Sequence, residues 1–267
     1  MEGGLLWALR IQAMTTLLEC VGVHCRITVT EEGGVRYLYL DGCEEGAMFV
    51  DSEDPVFNYL WFHKAAQLAR PVHRALVLGA GAFTAAKCLA IDHVDAAIDV
   101  VDREPELLAA GRQFFELADP RYERLRFIGE AAEVALPRLT PSYDFIFDDL
   151  FDGFEHVPEA TRGAAHTARL AELLSAGGIA IKNLIWDRKN PDTVAACISM
   201  ADAWRPQFAW SMEVLLGHPG SGHNRILLGA KKPRHYDWAT LADLLLRNGV
   251  PTMVISSASV QRSPGKM

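Results

Sequence analysis

Three aspartates closely follow one predicted strand. Asp148, Asp149 and Asp152 come after the largely apolar run at 143–147, and no basic residue lies among them. Ligands of parallel α/β sheets bind at the carboxyl ends of the strands. Clustered carboxylates need a partner, so these three could bind a cation or take a proton from an amine. Asp152 could instead form part of a turn, because it precedes Gly153.

A divalent metal is the competing explanation for this cluster. Metal cages need several oxygen, sulfur or imidazole ligands at suitable spacings. The nine histidines are scattered and no CxxC pair is present. We therefore expect no metal site. Only His156, in the loop after the acidic cluster, is a candidate for a substrate pocket.

A glycine turn lies upstream of the acidic cluster. Gly79, Ala80, Gly81 and Ala82 follow the short apolar strand at 75–78 and open a predicted helix. Glycines let the backbone approach a ligand closely, and a helix N-terminus offers unpaired N–H groups. Such a turn can equally serve only to pack a strand against a helix, so taken alone it is weak evidence for ligand binding.

Two further acids follow the next two predicted strands. Asp102, with its neighbour Arg103, ends the second strand, where nucleotide-binding α/β folds place the acid that hydrogen-bonds ribose. Glu130 and Ala131 follow the third strand, where a carboxylate could accept a hydrogen bond from an adenine amino group. Each acid could instead stabilise the N-terminus of the helix that follows it. Thr84 stands where a third glycine would be, which argues against a standard NAD site.

These residues lie on alternating strands and helices. The predicted strands are 75–78, 97–101, 125–128, 143–147 and 179–184, and the predicted helices are 82–91, 105–117 and 162–175. Apolar strands that alternate with helices indicate a parallel sheet covered on both faces. Two further apolar runs, 208–216 and 225–230, predict an antiparallel hairpin. The expected fold is a doubly wound, mostly parallel seven-stranded α/β sheet.

A smaller unit precedes this sheet. A helix at 5–20 and a hairpin over 26–40 are predicted for it, and a helix at 54–70 follows. After the sheet the pattern predicts a helix at 237–247 and a short strand at 252–255. The predicted organisation is an N-terminal helix and β-hairpin unit at 1–53, an α/β domain at 54–255, and a flexible tail at 256–267.

Composition narrows the possible functions. The chain has 267 residues, half of them hydrophobic, and a formal net charge of -8. Because nucleic-acid binding favours a basic surface, we expect no nucleic-acid partner. No apolar stretch reaches the ~20 residues of a membrane span, and the N-terminus lacks the features of a signal peptide. The five irregularly spaced cysteines suit free thiols in the cytoplasm.

The order of the motifs resembles that of the spermidine synthase (polyamine aminopropyltransferase) family and its bacterial spermidine-synthase-like relatives. The resemblance covers about residues 35 to 231. The motifs that carry it are the Leu-Asp-Gly turn at 40–42, the glycine turn at 79–81, Gly-Glu-Ala at 129–131, Asp-Phe-Ile-Phe-Asp-Asp at 144–149 and the late strand at 223–229.

This resemblance implies a donor molecule and a set of roles. The donor would be S-adenosyl-L-methionine (AdoMet) or decarboxylated AdoMet, held in a class I AdoMet-dependent methyltransferase-like Rossmann fold. Asp149 would be the acid that deprotonates the attacking amine, and Asp152 the second acid of the gate loop. The donor ligands would be Gly79, Ala80, Gly81, Ala82, Asp102, Arg103, Glu130, Ala131 and Asp149.

The chain departs from the family at positions that choose the donor tail and the acceptor. Ala82 stands where the family has an aspartate that helps to hold the ammonium of decarboxylated AdoMet. Phe57 and Asn58 stand where a Tyr-Gln pair contacts polyamine, and Glu45 replaces a glutamine. Without an acid at 82, the loop amides and Thr84 would be free to bind the carboxylate of AdoMet, which would make AdoMet the preferred donor.

Several functions remain open on these residues. The leading one is transfer of an aminopropyl, aminocarboxypropyl or methyl group to a small amine or amino acid, with Phe57, Asn58, His156 and Trp186 as candidates for the substrate pocket. An enzyme that cyclises or cleaves AdoMet is another. A nucleoside-binding regulatory subunit is the non-enzymatic alternative, although the retained Asp149 argues against it. The resemblance also implies a homodimer with contacts through the N-terminal β unit, whose edge strands need covering.

Overall fold

Two β-sheets carry the fold. A computed structural model describes residues 14–69, 71–152, 156–187, 189–216, 223–232, 238–250 and 252–259. The smaller sheet is antiparallel, with its strands in chain order: β1 (Thr15–Val21), β2 (Arg26–Glu32), β3 (Val35–Leu40) and β4 (Cys43–Phe49). The predicted hairpin is confirmed as the β2–β3 pair, in which Ile27 lies opposite Leu40.

The predicted helix at 5–20 is wrong over its described part. Residues 15–20 belong to β1, which pairs antiparallel with β2. Thr15 and Thr16 are β-branched and favour extended backbone, and the β2 edge supplies hydrogen-bond partners that a local helical pattern does not reveal. The rest of that predicted helix lies outside the described residues.

The larger sheet has eight strands in the order β12-β10-β11-β9-β8-β5-β6-β7. Its strands are β5 (Arg74–Leu78), β6 (Ala97–Asp102), β7 (Leu125–Gly129), β8 (Tyr143–Asp148), β9 (Leu174–Trp186), β10 (Trp210–Leu216), β11 (His223–Ala230) and β12 (Thr252–Ser259). Strands β5 to β9 pair in parallel, whereas β10 and β11 form the predicted antiparallel hairpin. The mostly parallel, doubly wound fold is confirmed.

The strand count and the tail differ from the prediction. Seven strands, β5 to β11, are those expected, and β12 adds an eighth at the edge by pairing antiparallel with β10. The predicted short strand at 252–255 therefore continues to Ser259. Residues 256–259 were expected in the flexible tail, but their backbone pairs with Trp210–Glu213. Residues 260–267 lie outside the described part.

Helices cover both faces of the larger sheet. They are α1 (Thr84–Asp92), α2 (Leu107–Phe114), α3 (Ala132–Ala135), α4 (Ala164–Leu173), α5 (Pro191–Trp204) and α6 (Trp238–Arg247). Short 3₁₀ helices span Pro120–Tyr122, Leu136–Arg138, Glu159–Thr161 and Arg205–Gln207, and a longer one, Asn58–Ala69, replaces the predicted helix at 54–70.

Alternating strand residues divide the core into two clusters. In β5, Val77 faces one cluster, under α1 and α6, while Leu76 and Leu78 face the other, under α4 and α5. All three side chains are buried. Successive strand residues point to opposite faces, so a strand buried on both sides must be apolar throughout. This sheet therefore holds the ends of its parallel strands rigidly in place.

The glycine turn after β5 is the tightest packing point near those strand ends. Gly79 has φ of 88°, and a Cβ at this position would overlap the carbonyl oxygen of Asp149. Gly81, with φ of 46°, lies against the backbone of Glu45. A Cβ on Gly46 would overlap the backbone nitrogen of Ala82. The turn is thus enclosed between the end of β8 and strand β4.

We expect Gly79→Ala to destabilise the protein by more than about 2 kcal/mol, because left-handed backbone strain of about 1–2 kcal/mol is joined by a clash. Gly34→Ala is the matched control: Gly34 has φ of 79°, but a Cβ there would meet nothing within 4 Å. Urea unfolding of both variants measures the difference. Equal losses of stability would contradict close packing at Gly79.

Candidate active site

One cavity of about 700 Å³ opens at the carboxyl ends of β5, β6 and β8. Strand β4 and the start of the 3₁₀ helix at 58–69 close it from the other side. Its lining includes Glu45, Phe57, Tyr59, Gly79, Gly81, Asp102, Arg103, Glu104, Ala131, Asp149, Leu150, Phe151, Asp152, Asn183, Ile185 and Asn224. The cavity therefore lies where ligands of such sheets bind.

At one end of the cavity, Asp102 is tied to the glycine turn. Its carboxylate accepts hydrogen bonds from the amides of Ala80 at 2.8 Å and Glu104 at 2.9 Å. Burial raises the pKa of Asp102, while these two amides oppose that rise. Each carboxylate oxygen has a second lone pair, so Asp102 can also accept hydrogen bonds from a diol in the cavity. This combination suits the ribose of a nucleoside.

Glu104 joins this end of the cavity to the small sheet. Its carboxylate accepts hydrogen bonds from the amides of Val23 at 3.1 Å and His24 at 2.7 Å, in the loop between β1 and β2. The neighbouring Gly22 has no room for a Cβ beside that carboxylate. Glu104 thus fixes the position of the N-terminal sheet relative to Asp102.

On the other side of the glycine turn, Asp149 is held by two neutral donors. The Asn183 amide donates to its Oδ1 at 2.8 Å, and the Tyr59 hydroxyl forms a second hydrogen bond. Asn224 in turn donates to the Asn183 side-chain oxygen at 3.0 Å, which fixes the orientation of that amide. Burial raises the pKa of Asp149 to about 6 even though both hydrogen bonds favour its ionised form. A carboxylate with such a pKa can exchange a proton near neutral pH.

Glu45 from β4 is the second carboxylate with a raised pKa. Burial, together with the negative charges of Asp149, Asp102 and Asp152, raises the pKa of Glu45 to about 7. The backbone of Glu45 lies against Gly81, which places this side chain beside the glycine turn. A positive charge near Glu45 would stabilise the carboxylates that raise its pKa.

The whole cavity lining is acidic. Eight carboxylates and one guanidinium line it among the described residues. The carboxylates are Asp41, Glu44, Glu45, Asp102, Glu104, Glu133, Asp149 and Asp152, and the guanidinium is that of Arg103. A ligand that carries one or more positive charges would relieve their mutual repulsion. An anionic ligand would add to it.

The structure brings most of the predicted donor ligands and catalytic residues together. Gly79, Gly81, Asp102, Arg103, Ala131, Asp149 and Asp152 all line the cavity, as does Phe57 from the predicted substrate pocket. Ala80 and Ala82 are buried behind the turn and are not lining residues. The side chain of Ala82 therefore packs into the core rather than facing a ligand.

Other predicted residues lie elsewhere. Glu130 forms an ion pair with Arg138 and does not line the cavity. Asn58 is exposed and outside the cavity, and its place is taken by Tyr59.

The remaining two pocket candidates are also displaced. Trp186 lies under the Arg225 guanidinium, 4.7 Å from the ring centroid. His156 lines a separate cavity of about 280 Å³, together with Ile185 and residues of α5. Sequence position alone placed both near the strand ends, but their side chains point away from the main cavity.

The expectation that Thr84 is free to bind the carboxylate of AdoMet is wrong. The Thr84 side chain is buried, and its hydroxyl donates to the carbonyl oxygen of Ala47 at 3.0 Å. The backbone nitrogen of Phe83 donates to the Ala80 carbonyl oxygen at 2.7 Å. These donors close the turn and hold it against β4, so they are not directed at a ligand.

Three lining residues were missed or given no role by the sequence analysis. Tyr59 lies within the predicted helix at 54–70 and was given no role, although a buried tyrosine hydroxyl needs a hydrogen-bond partner, which is a usable signal. Asn183 is a polar residue inside an otherwise apolar strand, which is a usable signal. Glu45 was noted only as a departure from a glutamine, because nothing in the sequence places β4 over the glycine turn.

Neither a metal site nor a membrane-spanning helix is found in the described part of the chain. Within it, no group of three or more His, Cys, Asp or Glu side chains is arranged to hold a metal ion. None of its helices is long and apolar enough to cross a membrane.

Comparison with known proteins shows the fold. A probable spermidine synthase from Corynebacterium glutamicum ATCC 13032 is 20% identical over 89% of both chains, with a TM-score of 0.75. A spermidine synthase in complex with the transition-state analogue AdoDATO is 12% identical, over 83% of this chain and 74% of its own, with a TM-score of 0.62. Human methyltransferase-like protein 13 in complex with SAH is 17% identical, over 71% of this chain and 87% of its own, with a TM-score of 0.53.

The chain thus has a methyltransferase-like α/β fold with an added four-stranded N-terminal sheet. The resemblance to spermidine synthases inferred from the motifs is confirmed as a likeness of structure, which extends over most of both chains in the Corynebacterium protein. No family model and no curated protein sequence matches the chain.

The raised pKa of Asp149 predicts a pH-dependent effect on stability. With a folded pKa of about 6 and an unfolded pKa of about 3.9, its ionised form is disfavoured by folding. This destabilisation is complete above pH 6 and disappears toward pH 4. We expect Asp149→Asn to unfold with about 1–3 kcal/mol more free energy than wild type at pH 8, and with no such gain at pH 4.

Denaturant unfolding at several pH values measures this effect. Asp152→Asn serves as the control, because Asp152 is exposed in the same loop and its replacement should change stability by less than about 0.5 kcal/mol. A gain for Asp149→Asn that is the same at pH 4 and pH 8 would contradict a raised pKa.

Proposed function

We propose that this protein transfers an aminopropyl group from decarboxylated AdoMet to a small amine. The observation that carries the proposal is the pairing of two features in one cavity. The first is the glycine turn with the strand-end acid Asp102, and the second, beside the same turn, is the pair of carboxylates of Glu45 and Asp149, whose pKa values are raised. The first suits a nucleoside and the second suits a cationic group that must lose a proton.

The nucleoside would bind beside Asp102. The turn at Gly79 and Gly81 leaves no side chain between its backbone and the cavity, and Asp102 can accept hydrogen bonds from ribose hydroxyls. The solved structures of this fold include one bound to AdoDATO and one bound to SAH. Their ligands support an adenosyl sulfonium or thioether compound as the class of donor.

The acidity of the cavity supports decarboxylated AdoMet over AdoMet. Decarboxylated AdoMet ends in an ammonium group, whereas AdoMet carries an additional carboxylate on the same carbon chain. Glu45 lies against the glycine turn and shares its surroundings with Asp149 and Asp102. A donor carboxylate there would be repelled, while an ammonium would be attracted. Glu45 would thus supply the negative charge that Ala82 does not.

The transfer step needs alignment and one proton acceptor. The acceptor nitrogen forms a bond to the carbon next to the sulfonium, as the carbon–sulfur bond breaks and its electron pair passes to sulfur, leaving methylthioadenosine. An amine is protonated at neutral pH and must lose a proton before it attacks. Asp149 takes that proton, and Tyr59 and Asn183 keep its carboxylate in place.

The acceptor would lie along the apolar part of the cavity. Phe57, Phe151 and Ile185 line the cavity together with Asp149, and Asp152, which also lines it, is exposed. Apolar walls suit a methylene chain, and a terminal carboxylate suits a second ammonium. A small diamine has this combination of groups.

Product analysis tests the function directly. We expect wild type to form methylthioadenosine when incubated with decarboxylated AdoMet and a diamine of three to five carbons. Asp149→Asn should lower the rate by about 10²–10⁴, with donor affinity little changed, because it removes the base but keeps the shape of the side chain. Chromatography of the nucleoside products and calorimetry of donor binding give the two measurements.

Three results would contradict the proposal. Formation of S-adenosylhomocysteine from AdoMet would indicate methyl transfer. Formation of methylthioadenosine from AdoMet without an amine would indicate breakdown of AdoMet. Near-normal turnover by Asp149→Asn would exclude Asp149 as the base. Asp152→Asn is the comparison variant: it removes a neighbouring cavity charge without touching Tyr59 or Asn183, so it should raise the KM for the diamine and leave the maximal rate largely unchanged.

Glu45 provides a test of donor choice. We expect Glu45→Gln to weaken binding of decarboxylated AdoMet by about 10–100-fold, the equivalent of ~1.5–3 kcal/mol for a hydrogen bond to a charged group. Binding of methylthioadenosine, which lacks the ammonium tail, should change by less than about twofold. Glu44→Gln is the control, because it removes an exposed carboxylate from the same cavity wall. If Glu45→Gln weakened binding of decarboxylated AdoMet and of methylthioadenosine equally, this assignment would be disproved. It would also be disproved if wild type bound AdoMet more tightly than decarboxylated AdoMet.

A further inference from the structure

A buried charged cluster lies directly behind the proposed base. Asp148 at the end of β8 accepts hydrogen bonds from the Lys182 ammonium at 2.7 Å and from the His166 ring at 2.9 Å. The side chains of Asp148 and Lys182 are 0% and 2% exposed. None of the three residues lines the main cavity. The transfer chemistry described above makes no direct use of this cluster.

The contribution of such a cluster to stability does not explain why these residues are charged. Removing two charges from water costs several kcal/mol per ion, and their attraction often only offsets that cost. Here the second carboxylate oxygen of Asp148, Oδ1, has no hydrogen-bond partner among the described residues. An apolar pair of similar size would fill the same space without this cost. The retained charges therefore point to a role in the neighbouring site.

The register of the sheet connects the cluster to Asp149. Asp148 and Lys182 are paired residues of β8 and β9. The next residue along each strand belongs to the site, where the Asn183 amide donates to Asp149. Because successive strand residues face opposite sides, the ion pair lies under α4 while Asp149 and Asn183 face the cavity. Asp149 and Asn183 directly follow the last pair of this ladder.

Two consecutive carboxylates in such a place would not both remain ionised on their own. Burial alone would raise the pKa of Asp148, but the charge of Lys182 and the hydrogen bonds from Lys182 and His166 outweigh it and hold that pKa well below its usual range. The charge of Asp148 favours protonation of Asp149, and the charge of Lys182 opposes this effect. A carboxylate pair without the cation would share a proton.

We propose that Lys182 is a positioning residue for Asp149: by pairing with Asp148 it lets the adjacent carboxylate stay ionised and aligned with Asn183. This inference rests on the proposed function only in assigning the base role to Asp149. The ionisable groups that interact with the two aspartates are Glu45 from β4, Tyr59 from the 3₁₀ helix at 58–69, His166 from α4 and Lys182 from β9. The charges of Asp102 from β6 and Asp152 from the loop after β8 act on Glu45. Among all these groups, Lys182 is the cation that contacts Asp148 directly.

The first test measures the ionisation of Asp149 without any substrate. Carbon-13 NMR titration of the aspartate carboxyl groups, assigned with Asp149→Asn, should show the Asp149 titration moved upward by about one pH unit in Lys182→Met. Lys182→Arg should titrate near wild type, because it keeps the charge. The double variant Asp148→Asn/Lys182→Met should also titrate near wild type, because it removes both charges and has the better prospect of folding.

The second test measures turnover against pH. In Lys182→Met the rate should fall about fivefold at pH 6 and recover above pH 8, as expected when an acid of pKa near 6 shifts by one unit. A loss equal at all pH values, with an unmoved Asp149 titration, would overturn the inference and leave a purely structural role. If Lys182→Met does not fold, an Asp149 titration displaced in the double variant or in Lys182→Arg would also overturn it. A moved titration without activity on any donor would instead refute the proposed function and leave this inference standing.

Discussion

The arrangement of the site depends on close backbone contact at the glycine turn. Gly79 lies against the carbonyl of Asp149, and Gly81 lies against the backbone of Glu45, so three parts of the chain meet where side chains have no room. The end of β8, the turn after β5 and the strand β4 from the small sheet are thereby fixed relative to one another. A carboxylate that acts on a bound ligand needs this precision, because small displacements cost much of the rate.

The packing of these elements brings several carboxylates close together in one cavity. Asp102 ends β6, Asp149 and Asp152 lie in the loop after β8, and Glu45 belongs to β4. Each would be an ordinary acid in isolation. Inside one cavity the charges of the three aspartates raise the pKa of Glu45, and burial raises the pKa values of Glu45, Asp102 and Asp149. Part of the destabilisation is relieved within the protein by amides and by Lys182 behind β8. Under the proposed function, the rest would be relieved when the cationic donor and acceptor bind.

The likeness to solved structures and the details of the site carry different kinds of information. Spermidine synthases and a human methyltransferase-like protein share the fold at 12–20% identity, and one fold of this kind hosts many reactions. What separates possible reactions is local: which charge lies beside the donor tail, and which base faces the acceptor. In this chain the acid beside the turn comes from β4, as Glu45, and not from position 82. The same electrostatic requirement can thus be met from another element.

The sequence by itself determined the alternation of strands and helices, the glycine turn, and the acids at the ends of β6 and β8. Those features depend on local periodicity and on strand ends that share one edge, so they could be read from the residues. It did not determine that residues 15–20 form a strand, that Tyr59 and Asn183 hold Asp149, or that Thr84 is satisfied by Ala47. These facts depend on contacts between residues far apart in the chain. Only the tertiary structure brings β4 over the turn, and that approach decides which side chains face the ligand and which are buried behind it.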